Sequence, residues 1–483
     1  MKKTIKKILS LILVASFALS GCSREKKTDG EVVTLTWYIP SVITGNDKVE
    51  VFNKVNEILE ERYNLRLIIY GVDSDNFSQN LKVINAGKDV YDLAFTSNWC
   101  NNFLTNVSNG VFYGITEKEL KEYAPMTYAS MSEEVWSAAK VNGKFYAVPN
   151  WQAQTRASAI YVPEEFLEAT NTDINSLTDF DAITEYLRKI TQINPECNKI
   201  PAFWTQTMTY YNFVDIYEEQ LPGAIDFTKE GKPVVVNQYE TQEFEDYVSL
   251  RRQWVEEGLS TSQYLPDSKA ADKKIKQEPF TIHQYSPMGE SVRTNTYGYQ
   301  VRAKQISNSL MSPLGVTAAM TGISATSKHP IEALKMIEIM NTDSEIMNLI
   351  AYGIEGKNYE RISSNQIKRI ENTNYSGPSL FNLGSMANAY LMDNQIPGLI
   401  EETKKFNDGA IASPLMGFNA DLTNIIIEVE NCRTVINEYL MMFDQGLADE
   451  AKLQEFRDRL KLAGSDKIIQ ELQGQIDKWY ETK

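Results

Sequence analysis

The sequence predicts an α/β protein built as two lobes, and three observations carry that expectation. Residues 32–96 alternate strand-like and helix-like patterns in the order β-α-β-α-β, which implies parallel strands joined by right-handed crossovers. Removing a leader of residues 1–21 from the 483 leaves 462, too many for one hydrophobic core and about right for two. Hydrophobic residues make up 42% of the chain, yet after the leader no apolar run is long enough to span a bilayer.

The elements follow in order. Val32-Val33-Thr34-Leu35-Thr36-Trp37-Tyr38 is β-branched and aromatic, hence a strand, and Pro40 ends it. Asp47 with Glu50 predicts a capping box, and Phe52, Val55, Leu59 and Tyr63 the apolar face of the helix it starts. Leu65 to Tyr70 is the next strand, Asn76 to Ala86 a helix closed by Gly87, and Tyr91 to Thr96 the third strand. Open sheets of this kind bind ligands at the carboxyl ends of their strands. Those ends carry Trp37, Tyr38, Ser97, Asn98 and Trp99, with burial against the helices an equal alternative for Trp37. No glycine-rich loop follows any of the three strands, so a nucleotide site is not expected.

Residues 117–140 read as helical and acidic, and Asn142-Gly143 between alternating runs predicts a hairpin. Further on come a strand around Ala157 to Val162, an amphipathic helix from Asp179 to Ile190, and an aromatic cluster holding Trp204 and Tyr211. These two rings could equally pack a core or touch a ligand. Val234 to Val236 reads as a strand, Thr241 to Gly258 as a helix, and Glu278 to Tyr285 as a strand entering a Ser-Pro-Met-Gly turn. Thr342 to Glu345 predicts a capping box. Near the end, Val429, Cys432, Ile436, Tyr439 and Phe443 form one apolar helical stripe, and Ile468, Leu472, Ile476 and Trp479 another.

The chain opens with the basic run Met1 to Lys7 and the apolar run Ile8 to Leu19, the layout of an export signal. Leu19-Ser20-Gly21-Cys22 resembles the lipobox of bacterial lipoproteins, which implies that residues 1–21 are removed and Cys22 is acylated. Residues 22–31 would then be a charged tether. Losing the four lysines of the leader takes the formal charge from −16 to −20, and no basic stripe offers phosphate contacts, so no nucleic-acid partner is expected. Cys100, Cys197 and Cys432 are odd in number and far apart, which rules out a zinc framework and allows at most one disulfide. With only His283 and His329, no catalytic triad can be drawn, and both histidines read as hydrogen-bonding or capping residues. Asp73-Ser74-Asp75 starts like a calcium loop but lacks its glycine, which leaves a helix N-cap. No metal and no cofactor are expected.

The hairpin Asn142-Gly143-Lys144-Phe145-Tyr146-Ala147-Val148-Pro149, together with the earlier Ala86-Gly87-Lys88-Asp89-Val90-Tyr91-Asp92, resembles the family 1 extracellular solute-binding proteins of ABC importers. Gly322-Ile323-Ser324-Ala325-Thr326-Ser327-Lys328-His329-Pro330 is similar to another segment of that family. Tyr352-Gly353-Ile354-Glu355-Gly356-Lys357-Asn358-Tyr359 and the ending from Leu460 to Gln473 resemble its LipO-type lipoprotein branch, which carries an uncharacterised C-terminal domain. The resemblance implies a type II periplasmic-binding-protein-like fold with lobes made of residues 32–152 plus 303–355 and 153–302 plus 356–483. It places Asn150, Trp151, Gln152, Gln154, Gln284 and Tyr285 at the cleft and a second hinge crossing at Tyr297 to Ala303. The implied function is capture of a small-molecule solute, a saccharide favoured, by a lipid-anchored monomer that delivers it to ABC permease subunits. A peptide or other solute in the same cleft is one alternative, and a surface glycoside hydrolase, needing only two carboxylates, is another.

Overall fold

The computed structural model describes residues 31–262 and 277–482; the leader, Cys22 and the tether up to Gly30 lie outside them. In the first lobe a five-stranded sheet has the order Leu65–Gly71, Val33–Ile39, Leu93–Thr96, Met320–Ile323, Ala147–Pro149. The first three strands are parallel, and Met320–Ile323 runs antiparallel to both of its neighbours. Helices Lys48–Tyr63, Ser74–Gly87, Pro330–Thr342 and Ser344–Tyr352 belong to this lobe. Leu35, Trp37 and Ile39 point to one side of their strand and are fully buried, as the period of two requires. The motifs at Asp92 and Ser327 meet here. The Asp92 carboxylate accepts hydrogen bonds from Thr36 N (2.9 Å), Thr36 Oγ1 (3.1 Å) and Ser327 Oγ (2.6 Å), locking two strand ends to the loop before Pro330.

The second lobe is built on the antiparallel sheet Thr281–Gln284, Ser158–Pro163, Val301–Gln305. Its central strand is buried at every residue, which explains the unbroken run Ala159-Ile160-Tyr161-Val162. Helices Phe180–Ile193 and Gln242–Glu256 pack beside it, capped by Asp179 and Thr241. The C-terminal helices Ile426–Asp444, Glu450–Ala463 and Ser465–Tyr480 contribute Cys432, Phe456, Leu472 and Ile476 to the same core. Arg251, 2% exposed, fastens them: its guanidinium donates to the carbonyls of Asp444 and Ile200 and lies against Phe203 and Trp254. Cys100, Cys197 and Cys432 are buried and free.

All chain crossings between the lobes meet in one small sheet. Thr155–Arg156 pairs antiparallel with Leu310–Met311, which pairs parallel with Ile411–Ala412. This corrects two expected boundaries. Val301–Gln305 pairs along its whole length with Ser158–Pro163, so the second crossing comes after Gln305, not at Tyr297 to Ala303. Tyr359, Ile367, Tyr375, Leu383 and Ala389 fill the first core, so the segment from residue 356 stays with the first lobe until the third crossing.

Smaller expectations shift as well. Asp47 makes no side-chain cap because its carboxylate is held by Lys357 (2.8 Å) and Asn358 (2.9 Å). Lys88, not Gly87, takes the left-handed position that ends its helix. Residues 117–139 form three short helices in place of one, and Val236 makes only an isolated bridge to Ala224. Asp343 caps its helix alone, through the amides of Glu345 and Ile346. The Asn142-Gly143 hairpin forms as expected, both residues at positive φ, and Asp73 caps its helix through Asp75 N. No helix among the described residues is long and apolar enough to cross a membrane.

Since Leu472 is fully buried in the second core, Leu472→Ala should cost about 2–5 kcal/mol. Denaturant unfolding followed by near-ultraviolet circular dichroism should show loss of second-lobe tertiary signal at a lower midpoint. An unchanged midpoint would mean the C-terminal helices form a separate module.

Candidate functional site

Between the lobes lies a cleft of about 420 Å³, within the size range of small-molecule sites. The first lobe supplies Ala318, Leu380, Met386 and Tyr390; the second supplies His283, Gln284, Tyr285, Met288, Arg293 and Tyr297. Trp151, Gln152 and Thr155 from the first crossing line it, as do Leu399 and Thr403 from helix Leu399–Asp408. Aromatic and aliphatic surfaces alternate with amide and hydroxyl groups. Among the described residues the lining contains no Asp and no Glu.

Local structure explains how these groups are held. Gln284 ends the edge strand of the second sheet, and the turn after it folds back so closely that a Cβ on Gly289 would stand 2.3 Å from the Tyr161 hydroxyl oxygen. Only glycine fits there. Helix Gly289–Tyr297 then presents Arg293, whose guanidinium lies 4.1 Å from the Tyr161 ring centroid and donates to Tyr297 Oη (3.0 Å). His283 is reached from the cleft, but the protein around it and then Arg293 hold its pKa down to about 4, so the imidazole is neutral near pH 7. Burial, then Glu402 and Glu290, push the Tyr285 phenol above its ordinary value, and its ring meets Phe406 edge-on at 5.2 Å.

Helix Leu399–Asp408 also ties the crossings together. Asn407 Oδ1 accepts from the amides of Gln154 (2.9 Å) and Thr155 (3.2 Å), while its Nδ2 donates to Gln152 O (2.7 Å). One side chain thus fixes the first crossing to the third.

Of the residues singled out from sequence, the fold brings Trp151, Gln152, Gln284 and Tyr285 together on the lining. Trp99 sits beside it, 57% exposed, its indole N–H donating to the carbonyl of the lining residue Ala318 (2.8 Å). The others are placed differently. Trp37 is fully buried in the first core and Trp204 in the second, where neither can reach a ligand. Tyr211 packs against Phe180 and Trp204, and Tyr38 stacks on Tyr70 at 4.9 Å over helix Ser74–Gly87. Ser97 spends its hydroxyl on the turn to Cys100, and Asn98 donates to Leu314 O (2.7 Å). Asn150, 1% exposed, bridges Phe381 O and the Thr321 hydroxyl. Gln154 is 3% exposed and is not among the lining residues. Sequence reasoning missed Arg293, although it is the sole lysine or arginine from Gln277 to Val301 and lies on the helix after the turn it had marked. It also missed Asn407, for which no local signal exists.

Residues 414–481 match the family model described as a domain of unknown function, DUF3502. The chain is 24% identical over 489 residues, 98% of its own length and 96% of the other, to a carbohydrate ABC transporter substrate-binding protein of Streptococcus pneumoniae serotype 4. Its fold matches the crystal structure of the N-glycan transport solute binding protein of Streptococcus pneumoniae with a TM-score of 0.82 at 22% identity, covering 93% of this chain and 99% of that one. The same protein in complex with Man5GlcNAc matches with a TM-score of 0.71 at 21% identity, again over 93% and 99% of the two chains.

Replacing Asn407 with Ala leaves two buried amides and a carbonyl without partners and should cost about 1–3 kcal/mol. Thermal unfolding of Asn407→Ala checks this; an unchanged melting temperature would remove Asn407 as the link between crossings. The chain has the two-lobed α/β fold of type II solute-binding proteins, and its DUF3502 segment completes the second lobe.

Proposed function

We propose that this protein captures a carbohydrate outside the cytoplasm and delivers it to the permease of an ABC transporter. The observation that carries the reading is the cleft between lobes that share one small hinge sheet, lined by aromatic and amide groups and free of carboxylates among the described residues. Sugar rings offer apolar C–H faces to Trp151, Tyr285 and Tyr390, and their hydroxyls suit Gln152, Gln284 and Gln395. The lining argues against a glycoside hydrolase, which needs two carboxyl groups flanking the scissile bond. The relatives, a carbohydrate ABC transporter substrate-binding protein and an N-glycan transport solute binding protein, support the same reading. A ligand touching both walls would favour the closed arrangement by its differential affinity, and the hinge sheet is the pivot.

Purified mature protein titrated with oligosaccharides and peptides tests this. The expected result is calorimetric binding of a saccharide that is recovered unchanged, with a smaller radius of gyration in solution scattering. Trp151→Ala should weaken that binding by about 1–3 kcal/mol, and Trp99→Ala, if its exposed ring forms the rim, by less. Peptide binding alone, or sugar cleavage, would overturn the proposal.

The lipid anchor belongs to the same reading. Leu19-Ser20-Gly21-Cys22 behind a basic and apolar leader would make Cys22 the acylated first residue and hold the protein at the membrane. Metabolic labelling with a fatty-acid analogue should mark the wild type and not Cys22→Ala, and an unlabelled wild type would refute it.

A further inference from the structure

Resting on the carbohydrate reading, we infer that the ligand carries a carboxylate, as a uronic or sialic acid does, and that Arg293 receives it. Arg293 is the one permanently charged side chain among the described lining residues of the cleft. The chain has 64 acidic residues against 48 basic ones, and arginines of the structure are usually neutralised, as Arg62, Arg188 and Arg433 are by glutamates. Arg251, without such a partner, is sealed among main-chain carbonyls. Arg293 has neither compensation. Its described polar partners are neutral phenols, Tyr297 Oη (3.0 Å) and the Tyr161 hydroxyl, which leave donors of its five N–H groups free of any carboxylate.

The arrangement also fixes direction. The Tyr161 ring supports one face of the guanidinium, and Gly289 lets the turn lie against that tyrosine, so the fork is oriented before any ligand arrives. A planar carboxylate is the natural bidentate partner of such a fork. Glu290, one turn earlier, accepts from Ala303 N (2.7 Å) and forms no ion pair with Arg293 among the described contacts. Neighbouring His283, held neutral, adds no second cation, so the site suits a single negative charge. The surroundings carry sugar surface for the rest of the ligand: Tyr297 and Met288 beside the arginine, Tyr390 and Leu380 across the cleft.

Matched pairs of ligands test the inference: a glucuronate-terminated oligosaccharide with its carboxyl-reduced form, and a sialylated oligosaccharide with its desialylated form. In the wild type the acidic member of at least one pair should bind tenfold or more tighter, and the gap should narrow as salt is raised. Arg293→Gln should abolish the gap between the acidic and neutral members of a pair, and Arg293→Lys should restore part of it. Circular dichroism confirms that the variants fold, and the salt series on the wild type decides the matter without them. If neutral members bind as tightly as acidic ones at every salt concentration, the carboxylate assignment is overturned and the carbohydrate reading stands. A sulfated counterpart that outbinds the carboxylate also overturns it. If no saccharide of either kind binds, the carbohydrate reading itself fails.

Discussion

Two hydrophobic cores, each with its own sheet, are joined by three strands that the chain lays side by side: Thr155–Arg156, Leu310–Met311 and Ile411–Ala412. Every other feature of the site depends on that small sheet. Its strands are two residues long, so it aligns the crossings without welding the lobes into one body. Behind it Val135 and Ala138 of the first lobe meet Met311, Val316 and Met416 in a minor apolar cluster. Asn407 adds polar specificity, since an amide that both donates to and accepts from one crossing fixes register as no apolar contact would.

The cleft that results is chemically biased. A negatively charged protein would be expected to show carboxylates at most surfaces, yet the described lining has none and has one arginine. With His283 held neutral near pH 7, the described lining offers aromatic faces, amides and one arginine. Among the described lining residues there is no pair of carboxyl groups of the kind that flanks a scissile glycosidic bond.

Much of the fold was legible because local periodicity records burial. The first β-α-β-α-β run, the Asn142-Gly143 hairpin and the stripe Ile468, Leu472, Ile476 all follow from spacing alone. Trp37, held open between ligand contact and burial, proves buried, and the face it shares with Leu35 and Ile39 is the signal that decides it. Trp204 was not legible: an aromatic cluster in a loop looks the same whether it faces a cleft or fills a core. The hinge escaped for a different reason. Val301–Gln305 is an edge strand whose partner lies about 140 residues earlier, and nothing local separates such a strand from a crossing. Asn407 and the first-lobe packing of residues 359–389 are likewise set by long-range contacts.

The C-terminal helices follow from the same constraint. Once the chain has crossed a third time at Ile411–Ala412, everything after it must pack on the second lobe, and the burial of Cys432, Phe456, Leu472 and Ile476 among second-lobe residues shows that it does. Arg251 makes the union costly to undo, because withdrawing the Asp444 carbonyl would strand a buried guanidinium. Besides the packing of Met416 on Val135 and Ala138, a hydrogen bond reaches from the start of this segment to the first lobe, where Asn419 Nδ2 donates to Lys140 O (3.2 Å) at the base of the Asn142-Gly143 hairpin. Rotation about the hinge sheet would carry these helices with the second lobe and strain that hydrogen bond first. The segment therefore packs as part of the second lobe while touching the first at its start.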